Sequence, residues 1–467
     1  MTGMTGMPEP VLTPDLAPAH ARAPRTVEET GMPFLFLLEL LVKVLFQRGQ
    51  MHLPELAAHL KLSLAVIDPV INFMRQEKLC EVTRRGASGT DADIHYQLSD
   101  SGRQRALACL ARNAYAGPCP VPLATYNAQA ALQSVAGMHV THEHVQAQFD
   151  GMVVNPRVLG QLGAAMNSNR AIFIHGAAGS GKTWLAERLA GLLQGAIALP
   201  HAIMVDGEVL PFYDAQQHGA GQEAAGACSL GVPRQPLDMR WVRGLRRPAI
   251  LTGGELTLDM LDLRFDPVTR LYRAPPHLKA NNGLFIIDDL GRQRCSPQEL
   301  MNRWIVPMDR AVDYLSLHNG HVFAVPFDVL VVFSSNFLPE RLSDAAFLRR
   351  LGYKIEVPAL SVAEYAQVFR AACIAHGVPF NAPAFAFLLQ ELHARWRVPL
   401  LACHPRDLLR QVRDRARYEG GPARLDAAVL EWAWHNYFGA APRRAANPTP
   451  ARERRARVDH TLHTEET

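Results

Sequence analysis

The apolar positions change period several times along the chain, and each change marks an element. Phe34–Arg48 repeats at helical spacing and stops at Gly49. Leu53–Leu62 reads as a second short helix, and a third runs from a cap at Ser63 to about Lys78. Leu79–Arg85 and Ile94–Leu98 read as two strands around the polar tip 86–93, followed by a helix that Ser99 or Asp100 caps. Beyond Asn155 the pattern becomes short buried runs alternating with helices. These runs are Ala171–His175, Gly283–Ile287, Asp328–Phe333 and Tyr353–Val357, the rhythm of a parallel sheet with crossovers. Past Pro358 only helical patterns remain: Ser361–His376, Ala382–Trp396, Pro405–Tyr418 and Asp426–Phe438.

The punctuation divides the chain. Residues 1–31 lack periodicity and read as a disordered arm; residues 32–112 have the helix–helix–helix–hairpin order of a winged helix. Residues 113–154, with Pro118, Pro120 and Pro122, read as a linker holding about one helix. An α/β domain follows over 155–358, then a helical domain over 359–439 and an Arg-rich tail, read as disordered, over 440–467. Within the α/β domain, residues 184–283 form a long insertion. It is expected to hold a hairpin at Asp206-Gly207, a loop Gln216–Gly226 and a helix Glu255–Leu263.

Composition narrows the class. An apolar share of 48% supports a sizeable core, and a net charge of +4 over 467 residues gives no global pull on nucleic acid. The seven cysteines stand singly without metal-ligand spacing, which reads as reduced thiols. The longest apolar stretch is broken by Glu39 and Lys43 and falls short of the ~20 residues of a membrane span. With no signal pattern, the expected location is the cytoplasm.

The chemistry lies in five segments. The first is Gly176-Ala177-Ala178-Gly179-Ser180-Gly181-Lys182-Thr183, between an apolar strand and a helix. Its glycines let backbone N–H groups close around phosphates at a helix N-terminus, Lys182 reaches the β- and γ-phosphates, and Thr183 offers a hydroxyl to Mg2+. ATP or GTP is the implied ligand. The second, Leu284–Asp289, is a buried strand delivering Asp288 to the magnesium and Asp289 to the attacking water. The third, Val329–Asn336, ends on an amide suited to orienting that water, or simply leaves a strand into a turn. The fourth, Asp344–Arg350, ends in Arg349 and Arg350. These either complement a helix dipole or reach a neighbouring subunit's nucleotide. The fifth, His404–Leu409, opens a helix at Pro405 with Arg406 in its first turn, where a phosphate contact is plausible.

In this order the five segments resemble the AAA+ ATPase superfamily, over residues 155–438. The resemblance implies a P-loop parallel sheet (Walker A, then Walker B), Asn336 as sensor 1, Arg349 or Arg350 as arginine finger, Arg406 as sensor 2, and a helical lid. It also implies ATP, Mg2+ and a homo-oligomeric ring. The stretch from His277 to Asp289 is similar to enhancer-type, chelatase-like and MoxR-like members, and the whole chain resembles bacterial AAA+ ATPases with a winged helix in front. The second acid, Asp289, departs from the usual Glu, as in the DnaA and DnaC/IstB groups.

The expected function is an ATPase that remodels a protein partner or complex. The alternatives are a DNA-associated ATPase, a regulator or loader, addressed by the winged helix, and an ATP-gated switch with little hydrolysis. In residues 32–112 ten Lys/Arg stand against eight Asp/Glu, and Arg84 and Arg85 on the wing are the best phosphate contacts. The third helix opens on Leu64-Ala-Val-Ile67, poor material for reading base edges.

Overall fold

The computed structural model describes residues 22–85, 94–220, 237–342 and 345–439, and the chain divides after Pro358 into two compact units. The expected tail over 440–467, the first 21 residues of the arm and the tip 86–93 lie outside the described residues, as do the side chains of Arg84 and Arg85.

The first unit is built on five parallel strands: β1 (Ala171–Gly176), β2 (Ala249–Thr252), β3 (Gly283–Ile287), β4 (Val329–Ser335) and β5 (Leu351–Val357). Their order across the sheet is β2-β3-β4-β1-β5. Four match the apolar runs of the sequence, while β2 was not anticipated, because four residues with alternating exposure leave little signal. Both faces are covered, as a parallel sheet requires. Ile172, Ile174, Leu284, Ile286 and Val332 pack on one side with Leu162 and Leu185. Phe173, Phe285, Ile287, Val331 and Phe333 pack on the other with Trp304. Each of these large side chains contributes ~1.5–3 kcal/mol by leaving water.

At the sheet's N-terminal edge a polar clamp holds the strand starts. Asn282 donates to Ala130 O (2.8 Å) and Asp328 Oδ2 (2.5 Å), and accepts from Gln133 (2.9 Å). Asn281 donates to Tyr126 Oη (2.8 Å) and Pro326 O (3.0 Å), and accepts from the Asp328 amide (2.8 Å). Asp328 also receives the Ser134 hydroxyl at 2.7 Å and the Val135 amide at 2.9 Å.

In front of this sheet, helices Phe34–Arg48, Leu53–Leu60 and Leu64–Gln76 precede the strands Cys80–Arg85 and Ile94–Leu98. The second and third helices meet at 118°, within the range of helix–turn–helix units. A two-residue strand, Met51–His52, adds a third member to the hairpin. Helix Asp100–Arg112 is capped by Ser99, whose hydroxyl accepts from Gly102 N at 3.1 Å. Ser63 stands at the expected helix start, but its hydroxyl donates to Pro24 O (2.7 Å) and caps nothing.

Three expectations are corrected. Residues 22–31, expected in the disordered arm, are folded: Glu28–Thr30 is a 3-10 turn, and Arg240 donates to Thr30 O at 2.7 Å. That guanidinium is buried and paired with Asp238 at 2.8 Å, and the arm supplies a further acceptor to it. Residues 113–154 are no linker. Val121–Pro122 pairs with Ile203-Met204, and helices Leu123–Leu132 and His142–Gln148 bury Tyr126 and Val145 in the body. The expected helix Glu255–Leu263 shrinks to a 3-10 turn, Leu258–Leu261.

The insertion is mostly short strands. The hairpin Ala202–Val205/Glu208–Pro211 turns at Asp206-Gly207 as expected, and Ile197–Pro200 pairs with Trp241–Leu245. The expected loop Gln216–Gly226 opens inside helix Ala215–His218, and beyond Ala220 it lies outside the described residues. A further hairpin, Val312–Ser316/Val322–Pro326, stands between helix Pro297–Arg310 and β4. Together these bury Ile203, Leu210, Trp241, Leu315 and Phe323 in one core. Ala202 and Val209 turn the other way and join the N-terminal core with Met51, Leu60 and Tyr96.

The second unit is four helical stretches: Val362–His376, Ala382–Trp396 with a π-turn at Leu388–His393, Cys403–Glu419 and Ala427–Phe438. They close on Tyr365, Phe369, Leu408, Leu409 and Trp434. Among the described residues, no single helix is long and apolar enough to cross a membrane.

Candidate nucleotide site

The C-terminal ends of β1, β3 and β4 bring the candidate residues of the first unit together. At the end of β1 the chain must turn tightly against its neighbour: a Cβ on Gly176 would lie 2.5 Å from Val357 O, at φ 153°. Gly179 and Gly181 also hold positive φ (85° and 97°), and Gly181 N-caps helix Lys182–Arg188 without a side-chain bond to the free amides. Ser180 is buried in the loop, and its hydroxyl has no hydrogen-bond partner among the described residues.

Lys182 is buried, and its ammonium donates to Gly176 O (3.2 Å), Ala177 O (2.9 Å) and Asn336 Oδ1 (2.8 Å). Burial lowers its pKa from the ordinary lysine value, while Asp289 and Asp288 pull it back up. Asn336 in turn donates to Asp289 Oδ1 at 3.1 Å, so one amide touches both the cation and the second acid. The Thr183 hydroxyl lies 3.0 and 2.8 Å from the two oxygens of Asp288.

The backbone beneath the acids is fastened on three sides. Asp288 N donates to Thr252 O of β2 (2.8 Å), Leu290 N to Ser334 O of β4 (2.7 Å), and Gln293 Nε2 to Asp288 O (2.9 Å). Asp289 sits at φ 49°, a left-handed conformation that Asp tolerates better than most side chains. That offers a physical reason for Asp where Glu was the expected residue. Thr252 and Gln293 escaped the sequence reading, since neither belongs to a recognisable spacing.

The two arginines part company. Arg350 is bound within its own chain: its guanidinium donates to both oxygens of Asp309 (2.9 and 2.6 Å) and holds that carboxyl below the usual range. Arg349 is exposed and makes no side-chain hydrogen bond or ion pair with a described residue. Asp344, the first residue of that segment, lies outside the described residues. Arg406 belongs to the second unit, in the first turn of Cys403–Glu419, where its Nε donates to Asp407 Oδ1 at 3.0 Å.

A glycine-rich loop after β1, acids after β3 and an amide after β4, in a sheet ordered β2-β3-β4-β1-β5 with an all-helical unit following in the chain, decide the architecture. The fold is AAA+-like. Of known families, a domain of unknown function (DUF8689) matches residues 361–436, inside the helical unit. No curated protein matches the chain in sequence. Among solved structures, NtrX from Brucella abortus in complex with ADP is similar at 14% identity and a TM-score of 0.38, over 64% of this chain and 59% of NtrX. The chain thus spans about three fifths of that protein's length. The Thermotoga maritima RuvB Holliday junction branch migration motor is similar at 14% identity and a TM-score of 0.33, over 64% of this chain and 70% of RuvB.

Proposed function

We propose that the protein is an ATPase that binds ATP between copies of its own chain in a ring and uses the hydrolysis to remodel a protein partner or complex. The observation that carries this reading is the single amide of Asn336 bonded at once to Lys182 and to Asp289. Lys182 meets the β- and γ-phosphates, the loop amides and the unpartnered Ser180 hydroxyl complete the cradle, and Asp289 accepts a proton from the water that Asn336 orients. Thr183 and Asp288 supply the oxygen donors a hard cation takes, so they would hold Mg2+, whose charge would offset that of the phosphates. Arg349, exposed, is the better finger, because Arg350 is already committed to Asp309. Arg406 is read as the lid's contact to phosphate.

A protein partner is favoured over DNA at residues 32–112, the domain read as a winged helix. The solvent face of Leu64–Gln76 presents Leu64, Ala65, Asp68, Pro69 and Phe73, the last in ring contact with Phe34 at 5.3 Å, and its exposed cation, Arg75, comes only in the last turn with Gln76. Such a face suits apolar docking more than base edges.

The test is ATP turnover against protein concentration. Turnover per chain should rise as copies assemble, Arg349→Ala should lower it by about 10³-fold or more, and Arg350→Ala should mainly lower the melting temperature. Turnover independent of concentration and untouched by Arg349→Ala would overturn the shared site. A protein that binds ATP without multiple turnovers would instead be the nucleotide-gated switch.

A further inference from the structure

Helix Cys403–Glu419 carries arginines at 406, 410, 413 and 417, the i, i+4, i+7, i+11 spacing that places all four on one face. The core face is made by Leu408, Leu409 and Val412, which are buried. Arg406 and Arg413 retain 70% and 38% side-chain exposure, and Arg410 and Arg417 are exposed as well. The acids beside the row are Asp407, bonded to Arg406 and to the Tyr437 hydroxyl, and Asp414, 3.8 Å from Arg413. Arg410 and Arg417 have no hydrogen-bond or ion-pair partner among the described residues, and Arg413 Nε is buried without one. The helix's fifth arginine, Arg415, points elsewhere: it pairs with Glu419 at 2.7 Å and lies over the Trp432 ring at 5.2 Å.

A helix face kept only for solubility interleaves its signs, because like charges three or four residues apart each cost the helix ~0.2–0.5 kcal/mol. Here 406/410, 410/413 and 413/417 are all such pairs. A ligand that repays this repulsion is an extended polyanion. The row runs ~16 Å with a charge at about every turn of 5.4 Å, and guanidinium groups bind phosphate oxygens bidentately. A second copy of the chain is a poorer match, since the protein itself carries a net charge of +4. We propose that this arginine row is a binding surface for the phosphate backbone of a nucleic acid. Arg406, at one end of the row, is shared with the reading of the ATP site above, whereas Arg410, Arg413 and Arg417 have no part in that reading, and the proposal is independent of the reading of residues 32–112.

The test uses the full-length protein and a fluorescein-labelled DNA strand of about 20 nucleotides, alone and as a duplex, by anisotropy across a salt series. Salt-dependent binding is expected. Arg410→Glu with Arg417→Glu should weaken it by about tenfold or more, and Arg410→Ala with Arg417→Ala should flatten the log–log salt slope by about one to two. Arg410→Lys with Arg417→Lys should retain most of the affinity, and the melting temperature should stay constant. The six arginines of residues 440–467 stand against four acids, so truncation at Gly439 is the control, and the row's contribution should persist in it. Absent binding, binding unchanged by both pairs of substitutions, or binding lost wholly on truncation would overturn the proposal. So would charge reversal that changes only the oligomeric mass, which would make the row a contact between copies.

Discussion

The two ends of the same strands carry opposite kinds of polar chemistry. β3 and β4 begin at Asn281, Asn282 and Asp328 and finish at Asp288, Asp289 and Asn336, with an apolar run between. At the beginning, each side-chain amide or carboxylate meets several partners, and Asn281 and Asn282 are fully enclosed. At the finish, the Lys182 ammonium is held by two loop carbonyls and one amide, and the neighbouring buried Ser180 hydroxyl has no partner among the described residues. The strand starts lock polar groups to one another across distant parts of the chain, whereas the strand ends gather a cation, two acids and an amide, the groups that the proposed function sets to work on phosphate and water.

That contrast can be broken in three places, in falling order of effect. Lys182→Ala should reduce ATP turnover by about 10²–10³-fold or more while the melting temperature holds within a few degrees. A collapse of the fold instead would place Lys182 with the scaffold. Asn282→Ala should do the reverse. It removes one hydrogen-bond partner each from Asp328, Gln133 and the Ala130 carbonyl and puts alanine at φ 62°, so unfolding in denaturant should show a loss of about 3 kcal/mol. ATP affinity of the molecules that remain folded should be unchanged. Gln293→Ala tests the boundary, because this side chain is a scaffold element inside the site. It should cost about 1 kcal/mol in stability and lower turnover a few-fold with KM unchanged. A shift in KM alone would mean that it contacts substrate.

Much of this was legible in the chain. The buried runs of β1, β3, β4 and β5 and the loop after β1 are local patterns, and the structure keeps the strand bounds within one residue, except at the start of β5 and the end of β4, which extend two residues further. The helices of the second unit likewise announce themselves, because their caps and stops are local, as in the Ser361/Glu364 capping box. What escaped depends on distance along the chain. Asn282 finds Gln133 149 residues away, and Asn281 finds Tyr126 at a separation of 155. Arg240 meets Thr30 across 210 residues, so the arm looked unstructured and the stretch around Pro118 looked like a linker. Arg350 and Asp309 are 41 apart, which left the two candidate fingers indistinguishable until the fold separated them. The strands of the insertion other than the hairpin at Asp206-Gly207 were missed because three to five residues of mixed burial carry almost no periodicity.

The merging of Ala202 and Val209 into the N-terminal core bears on how the protein is made. Translation delivers residues 32–112 early, yet their hydrophobic centre is incomplete until the hairpin at Asp206-Gly207 has been synthesised. That is roughly 100 residues later, or about 5–20 s at elongation rates of about 5–20 residues per second. During that interval the nascent domain waits with an open seam in its core. Residues 32–112 are closed by a part of the chain that is synthesised well after them.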